Sequence, residues 1–316
     1  IYNLTKTGMG NKMLVSTLTA NKLIADVWFA RADFARDNPD IIEGLVRGIL
    51  DATDELSKNE QAKQGVGKLM DDFYSLPPGT GGSMLADAHW TNYAENRDFF
   101  LNQNNPTSFE RTWTTAYFLY KRINAVTEQT PFDQVMDFSV IQKLGSEQKY
   151  ASQKNEYDIQ FAPASAGTVR GEKDEILTKT VVIHFFPNSW DLNKKVTRNA
   201  DGKEVEELYD PNVGFVVEEI GKLAGQYGAA RIVIEGHTDG SMKATVPKSL
   251  VQELSLNRAN AVKEAILRKF PSLQPNQFST GGLGWDRPAD PSDPENNAKN
   301  RRVEVKVFPA EAAPAK

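Results

Sequence analysis

Cysteine is absent from this 316-residue chain. Disulfides, thiolate nucleophiles and Cys-ligated zinc or iron–sulfur centres are therefore excluded. Histidine is scarce, limited to His89, His184 and His237. Spaced this far apart, they read as structural or exposed residues, and no metal is expected. Long apolar runs are missing as well. Val181-Val182-Ile183 and Ala116 to Tyr120 fall far short of the ~18 consecutive apolar residues of a membrane-spanning helix, so no span is expected. Neither sign of charge dominates: residues 1–150 carry net −4 and the remainder net −1. That balance offers no basic face to displace counterions, so nucleic acid is not an expected partner. Enzyme signatures are missing too, with no GxSxG elbow, HExxH, P-loop or GxGxxG between a strand and a helix. These absences point to a non-enzymatic chain without a cofactor.

Apolar residues make up 40% of the chain and charged residues 25%, a composition that builds cores, and the length suits two domains. The chain opens at Ile1 without methionine or a positively charged apolar leader. The expectation is a removed targeting segment or a piece of a longer protein.

Residues 1–150 predict a mostly helical domain. Apolar positions recur at helical spacing over Asn21–Phe34, Asp40–Leu56, Ser57–Phe73, Met84–Phe100 and Ser108–Val126. Asn38 followed by Pro39 marks one helix start, and the breaker cluster Pro77–Gly82 marks a stop. Lys12–Ser16 is the only strand expected there. Ser16-Thr17 could present N–H groups to an anion or serve as an ordinary helix cap.

Residues 151–176, with Pro163–Gly167 and the charged run Arg170–Glu175, read as a linker. Residues 177–309 then alternate. Strands are expected at Thr180–Phe186, Arg231–Glu235, Gln277–Gly281 and Arg302–Phe308, and helices at Asn212–Tyr227 and Lys248–Phe270. The order is βαβαββ, an α/β (α+β) fold with a mixed sheet. Asp191–Pro211 reads as an inserted loop or hairpin turning at Asn199–Gly202. Residues 310–316 read as a disordered tail.

The strongest local signal is Ile234 to Gly240, a buried strand ending in glycine and then small polar groups. That edge is where α/β sheets place ligand sites. Arg258, on the following helix, can be carried back toward Asp239. An acid and a guanidinium held close together suit a zwitterion, the carboxylate taking an ammonium and the guanidinium a carboxylate. A loop aspartate capping backbone and a solvated helix arginine fit the same residues equally well.

Four motifs in order resemble the OmpA-like peptidoglycan-binding domain of OmpA, peptidoglycan-associated lipoprotein and MotB. They are Gly236-His237-Thr238-Asp239, Leu254-Ser255-x-x-Arg258-Ala259-x-x-Val262, Gly282-x-Gly284 with Pro288, and Asn300-Arg301-Arg302-Val303-Glu304. The resemblance spans about residues 178–308. It implies that Asp239 and Arg258 grip the diaminopimelate of the stem peptide, with Gly236 and Thr238 in the same loop and Asn300 and Arg301 lining or bracing the pocket. An alternating strand with one exposed charge also accounts for Arg301-Arg302. Two departures stand out. The loop between Asp239 and Arg258 is about four residues longer than usual, around Lys243–Val246, and Val251 replaces a common asparagine.

The first 150 residues resemble the later part of a type II periplasmic solute-binding protein, through Leu14–Thr17, Ala25–Phe34, Asn38–Ile42 and Ala94–Phe100. This implies that most of a two-lobed module lies upstream. Trp90, Tyr93, Asn96 and Phe100 are then candidates for a solute cleft, with helix packing as the competing account. Together the resemblances imply a module anchored to peptidoglycan in the periplasm of a Gram-negative-type envelope. The alternative is an extracytoplasmic solute receptor or transport component whose OmpA-like domain serves docking or homodimerisation.

Overall fold

The computed structural model describes residues 10, 15–156, 159–172, 175–200, 203–293 and 297–309. Most of the expected strand Lys12–Ser16, the hairpin tip Asp201-Gly202 and the tail 310–316 lie outside the described residues. The chain divides into two compact units. One comprises Ile1–Ala25, Asn104–Thr107 and Ile159–Lys316, the other Asp26–Gln103 and Ser108–Asp158.

The second unit is helical: α1 (Ala32–Asp37), α2 (Pro39–Lys58), α3 (Glu60–Tyr74), α4 (Thr80–Ala86), α5 (Tyr93–Leu101), α6 (Phe109–Arg122), α7 (Ser139–Leu144) and α8 (Gln148–Ala151). Pro39 opens α2 as expected. Asn38, however, uses its side chain to close α1, donating to the Phe34 carbonyl. The helix expected over Asn21–Phe34 is confined to its last residues. Turns and irregular backbone fill 17–31, and Phe29 is 95% exposed, so the apolar periodicity there has no surface to pack on. The core is Leu50, Tyr93, Ile141, Leu144 and Tyr150.

The first unit carries a four-stranded mixed sheet. Its strands are β1 (Leu177–Val181), β4 (Ala230–His237), β5 (Phe278–Gly284) and β6 (Val303–Pro309), ordered β1-β6-β4-β5. β6 is antiparallel to β1 and β4, while β5 runs parallel to β4. β2 (Lys195–Ala200) and β3 (Lys203–Leu208) form the expected hairpin between β1 and helix α10 (Val213–Gln226). Helix α11 (Lys248–Lys269) joins β4 to β5. The expected strand Thr180–Phe186 ends at Val181, because its partner β6 begins at Val303, directly opposite.

One sheet face meets α10 and α11. Val213, Val216, Val217, Ile220 and Ala224 form the buried stripe of α10, and Ile232 and Ile234 of β4 face it. The other face carries a helix where a linker was expected, α9 (Ala166–Glu172). Ala166 and Val169 pack on Val233 and Phe308. Ahead of α9, Ser279 donates to the Ala164 carbonyl at 2.6 Å, and Arg231 donates to Ala162 while lying over the Phe161 ring. The segment from Phe161 onward is thus part of this unit's architecture, and a short Ala/Gly-rich helix is hidden from periodicity arguments by its length. α12 (Asn297–Asn300) precedes β6.

Candidate functional site

Glycines let α11 lie flat on the carboxyl ends of β4 and β5. A Cβ on Gly236 would stand 2.0 Å from the Ser255 carbonyl oxygen, and one on Gly282 2.2 Å from that of Gln252. Gly236 was expected in the ligand loop. It lies instead within β4, paired with Gly282 and Val303, and its requirement is close helix packing. Gly284 ends β5 at φ +53°, in the left-handed region, and its N–H donates to Ser255 Oγ at 3.0 Å. Val251 is buried beside Gly284.

Beyond the bulge at Gly236-His237 the chain leaves the ladder. Thr238 N–H still donates to the Gly284 carbonyl, and the Thr238 hydroxyl is buried without a partner. Asp239 follows at 1% exposure. Its Oδ1 accepts from the Ser241 N–H at 2.8 Å and from the Ser241 hydroxyl, and its Oδ2 accepts from Arg301 Nε. Burial acts to raise the Asp239 pKa, but the bonds from Ser241 and Arg301 outweigh it and leave the carboxyl below its usual value.

Arg258 sits on the buried stripe of α11, with Val251, Ser255, Ala259, Val262 and Ile266. It is 7% exposed. Its Nε donates to the Ser189 carbonyl at 3.1 Å, and its guanidinium lies 4.9 Å from the centre of the Phe185 ring. Among the described residues it makes no ion pair. Burial and the nearby Arg301 charge lower its pKa to about 10, partly offset by Asp239. A guanidinium removed from water without a carboxylate is costly, so this position calls for an anion. A cleft opens beside it, lined by His184, Phe185, Tyr209, His237 and Arg301.

Asn300 and Arg301, expected to line or brace the pocket, part company. Asn300 is fully buried, accepting from the Ala289 N–H and donating to the Asp293 carbonyl, so it braces the loop before β6. Arg301 faces the cleft with its side chain 51% exposed. Arg302, by contrast, is buried, bonded to Glu304 and to the Arg287 carbonyl.

A second polar group lies on the α9 face of the sheet: Glu235, His237 and Glu304, whose side-chain ligand atoms cluster within 4.8 Å. Each carboxylate already has a cation, Arg170 for Glu235 and Arg302 with Lys306 for Glu304, so the group is charge-balanced without an ion. Burial and the Arg302 charge lower the His237 pKa to about 4, holding the ring neutral. Sequence reasoning did not single out this cluster, because its members meet only through the β4–β6 register.

The proposed solute-cleft residues of the helical unit each make contacts within that unit. Tyr93 is a core residue whose hydroxyl donates to the Ile141 carbonyl. Phe100 stacks on Phe99 and Phe109, and Asn96 donates back to Thr91 and Asn92 at the start of its own helix. Trp90, half-exposed, donates to the Leu85 carbonyl. Helix packing accounts for Tyr93 and Phe100. Ser16 starts a turn rather than a helix, accepting from the Thr19 and Ala20 N–H groups.

The mixed α/β sheet thus carries a buried acid just past the carboxyl end of β4 and a buried guanidinium on the helix that follows. Residues 206–302 match the OmpA family model, and the C-terminal part of the chain is an OmpA-family domain. Outer membrane protein Omp38 of Acinetobacter baumannii is 36% identical over 116 residues, covering 36% of this chain and 30% of Omp38. Outer membrane porin F of Pseudomonas fluorescens is 33% identical over 98 residues, 31% of this chain and 28% of the porin. The matches thus span under a third of either relative's length. Among solved structures, a MotB-like protein from Desulfovibrio vulgaris is 25% identical, covering 42% of this chain and 74% of that one, with a TM-score of 0.31. The resemblance of residues 1–150 to a solute-binding protein gains no support from these relatives.

Proposed function

We propose that the α/β unit binds the diaminopimelate-containing stem peptide of peptidoglycan non-covalently, and so holds the helical unit at the cell wall in the periplasm of a Gram-negative-type envelope. The observation that carries this reading is Arg258, a buried guanidinium with no carboxylate partner among the described residues, opening on a cleft whose Arg301 binds the buried Asp239. The distal end of diaminopimelate bears an ammonium and a carboxylate on one carbon, the complement of this pair. Asp239 takes the ammonium, and Arg258 takes the carboxylate through nitrogens that the Ser189 contact leaves available. The unpartnered Thr238 hydroxyl supplies one further bond. The OmpA-family match supports peptidoglycan as the ligand at the level of the family.

The test is co-sedimentation with purified diaminopimelate-type sacculi, run beside Asp239→Asn. Wild-type chain should pellet and the variant should stay in the supernatant. Equal pelleting would move the site elsewhere, and pelleting of neither would end the anchor reading.

A further inference from the structure

We propose that Arg301 is a specificity-determining residue that holds Asp239 in the empty site and exchanges it for the ligand's carboxylate on binding. This rests on the stem-peptide reading above. Both oxygens of Asp239 are already engaged, Oδ1 by Ser241 and Oδ2 by Arg301. An incoming ammonium therefore competes with these donors for the carboxylate. The Ser241 backbone N–H cannot withdraw without remaking the loop, so Oδ1 stays partly engaged even if the hydroxyl rotates away. Arg301 can withdraw: its side chain is half-exposed, and among the described residues only its Nε is bonded, leaving both terminal nitrogens free.

Once displaced, Arg301 stands beside Arg258, whose pKa its charge already depresses. Two guanidinium groups and a ligand ammonium would then share one aspartate. A ligand that also brings a carboxylate restores the balance, because that group can bridge Arg258 and Arg301. A lysine-type side chain brings the ammonium alone and leaves Arg301 stranded against a like charge. Arg301 thereby penalises the wrong ligand as well as assisting the right one, a repulsive element of the kind that specificity often requires.

Titration calorimetry on the whole chain decides this, with two soluble tripeptides, L-Ala-γ-D-Glu-meso-diaminopimelate and L-Ala-γ-D-Glu-L-Lys. Wild type should prefer the first by about 100-fold, and Arg301→Gln should weaken the first about tenfold while binding the lysine peptide several-fold more tightly than wild type. Arg301→Lys, which keeps the charge, should retain most of the preference. If wild type binds and Arg301→Gln weakens both peptides by one common factor, Arg301 is a plain attractive contact and the exchange is overturned while the stem-peptide reading stands. If wild type binds neither peptide, that reading fails and takes the exchange with it.

Discussion

Glu95 and Arg258 are both charged, both over nine-tenths buried, and each sits in a different unit. Their surroundings differ in one respect. Glu95 is fully met: Oε2 contacts His89 Nε2 at 2.8 Å and accepts from the Asn92 N–H, while Oε1 accepts from the Glu156 N–H. It completes a capping box at the start of α5 and ties the chain after α8 to that helix. Arg258 has a carbonyl and an aromatic face and no carboxylate. A buried charge whose bonding capacity is filled by its own chain is architecture. One that is left short costs stability in the free protein, and that cost is recovered when an anion arrives.

The comparison can be broken most severely at Glu95. Glu95→Ala strands the Asn92 and Glu156 N–H groups and should cost the helical unit about 3 kcal/mol, read as a lower urea midpoint, with sacculus binding by the α/β unit retained. Loss of binding without loss of stability would transfer the functional role to Glu95. Next in size is Gly236→Ala, whose Cβ meets the Ser255 carbonyl at 2.0 Å. The clash should destabilise the α/β unit by about 2 kcal/mol and weaken binding by pushing α11, and Arg258 with it, off the sheet edge. A neutral effect on both would show that the close approach does not position Arg258.

Acid gives the smallest and most selective effect. The His237 pKa is lowered on folding to about 4, so between that value and ~6.5 the unfolded chain binds a proton that the folded chain refuses. Stability from this group is therefore full above ~6.5 and falls as the pH drops toward 4. Asp239 and Glu304, with depressed pKa values, contribute in the same direction, but only as the pH falls into the ordinary carboxylate range and below it. Melting curves at pH 7 and pH 5 should show the α/β unit weakening, and His237→Gln should remove most of that difference. A pH difference untouched by the variant would place the titrating group elsewhere.

Part of the site was legible in the sequence, for physical reasons. The sequence places Arg258 on the helix after Asp239, but a solvated arginine fits it equally well, and only the structure puts it on the buried stripe with Val251, Ser255, Ala259 and Val262. The βαβ order around Ile234 put Asp239 at the sheet edge. What the sequence hides are contacts between distant residues. Arg301 and Asp239 are 62 positions apart and meet only because β6 pairs with β4. The α9 cover is too short to show a period. The aromatic spacing of Trp90, Tyr93 and Phe100 misled in the opposite way, since a core and a cleft ask for the same residues and only the partners found at Ile141, Phe99 and Phe109 separate them.

The most direct test of the account replaces Arg258 with methionine, a side chain of similar length without the charge, and reads two quantities on one preparation. Calorimetric titration with the diaminopimelate tripeptide should show saturable binding by wild type and a loss of about 100-fold or more in Arg258→Met. The melting temperature should stay level or rise, because an uncompensated buried charge has been removed. Undiminished binding by the variant would contradict the account. So would a fall in melting temperature by several degrees, which would make Arg258 a structural residue like Glu95.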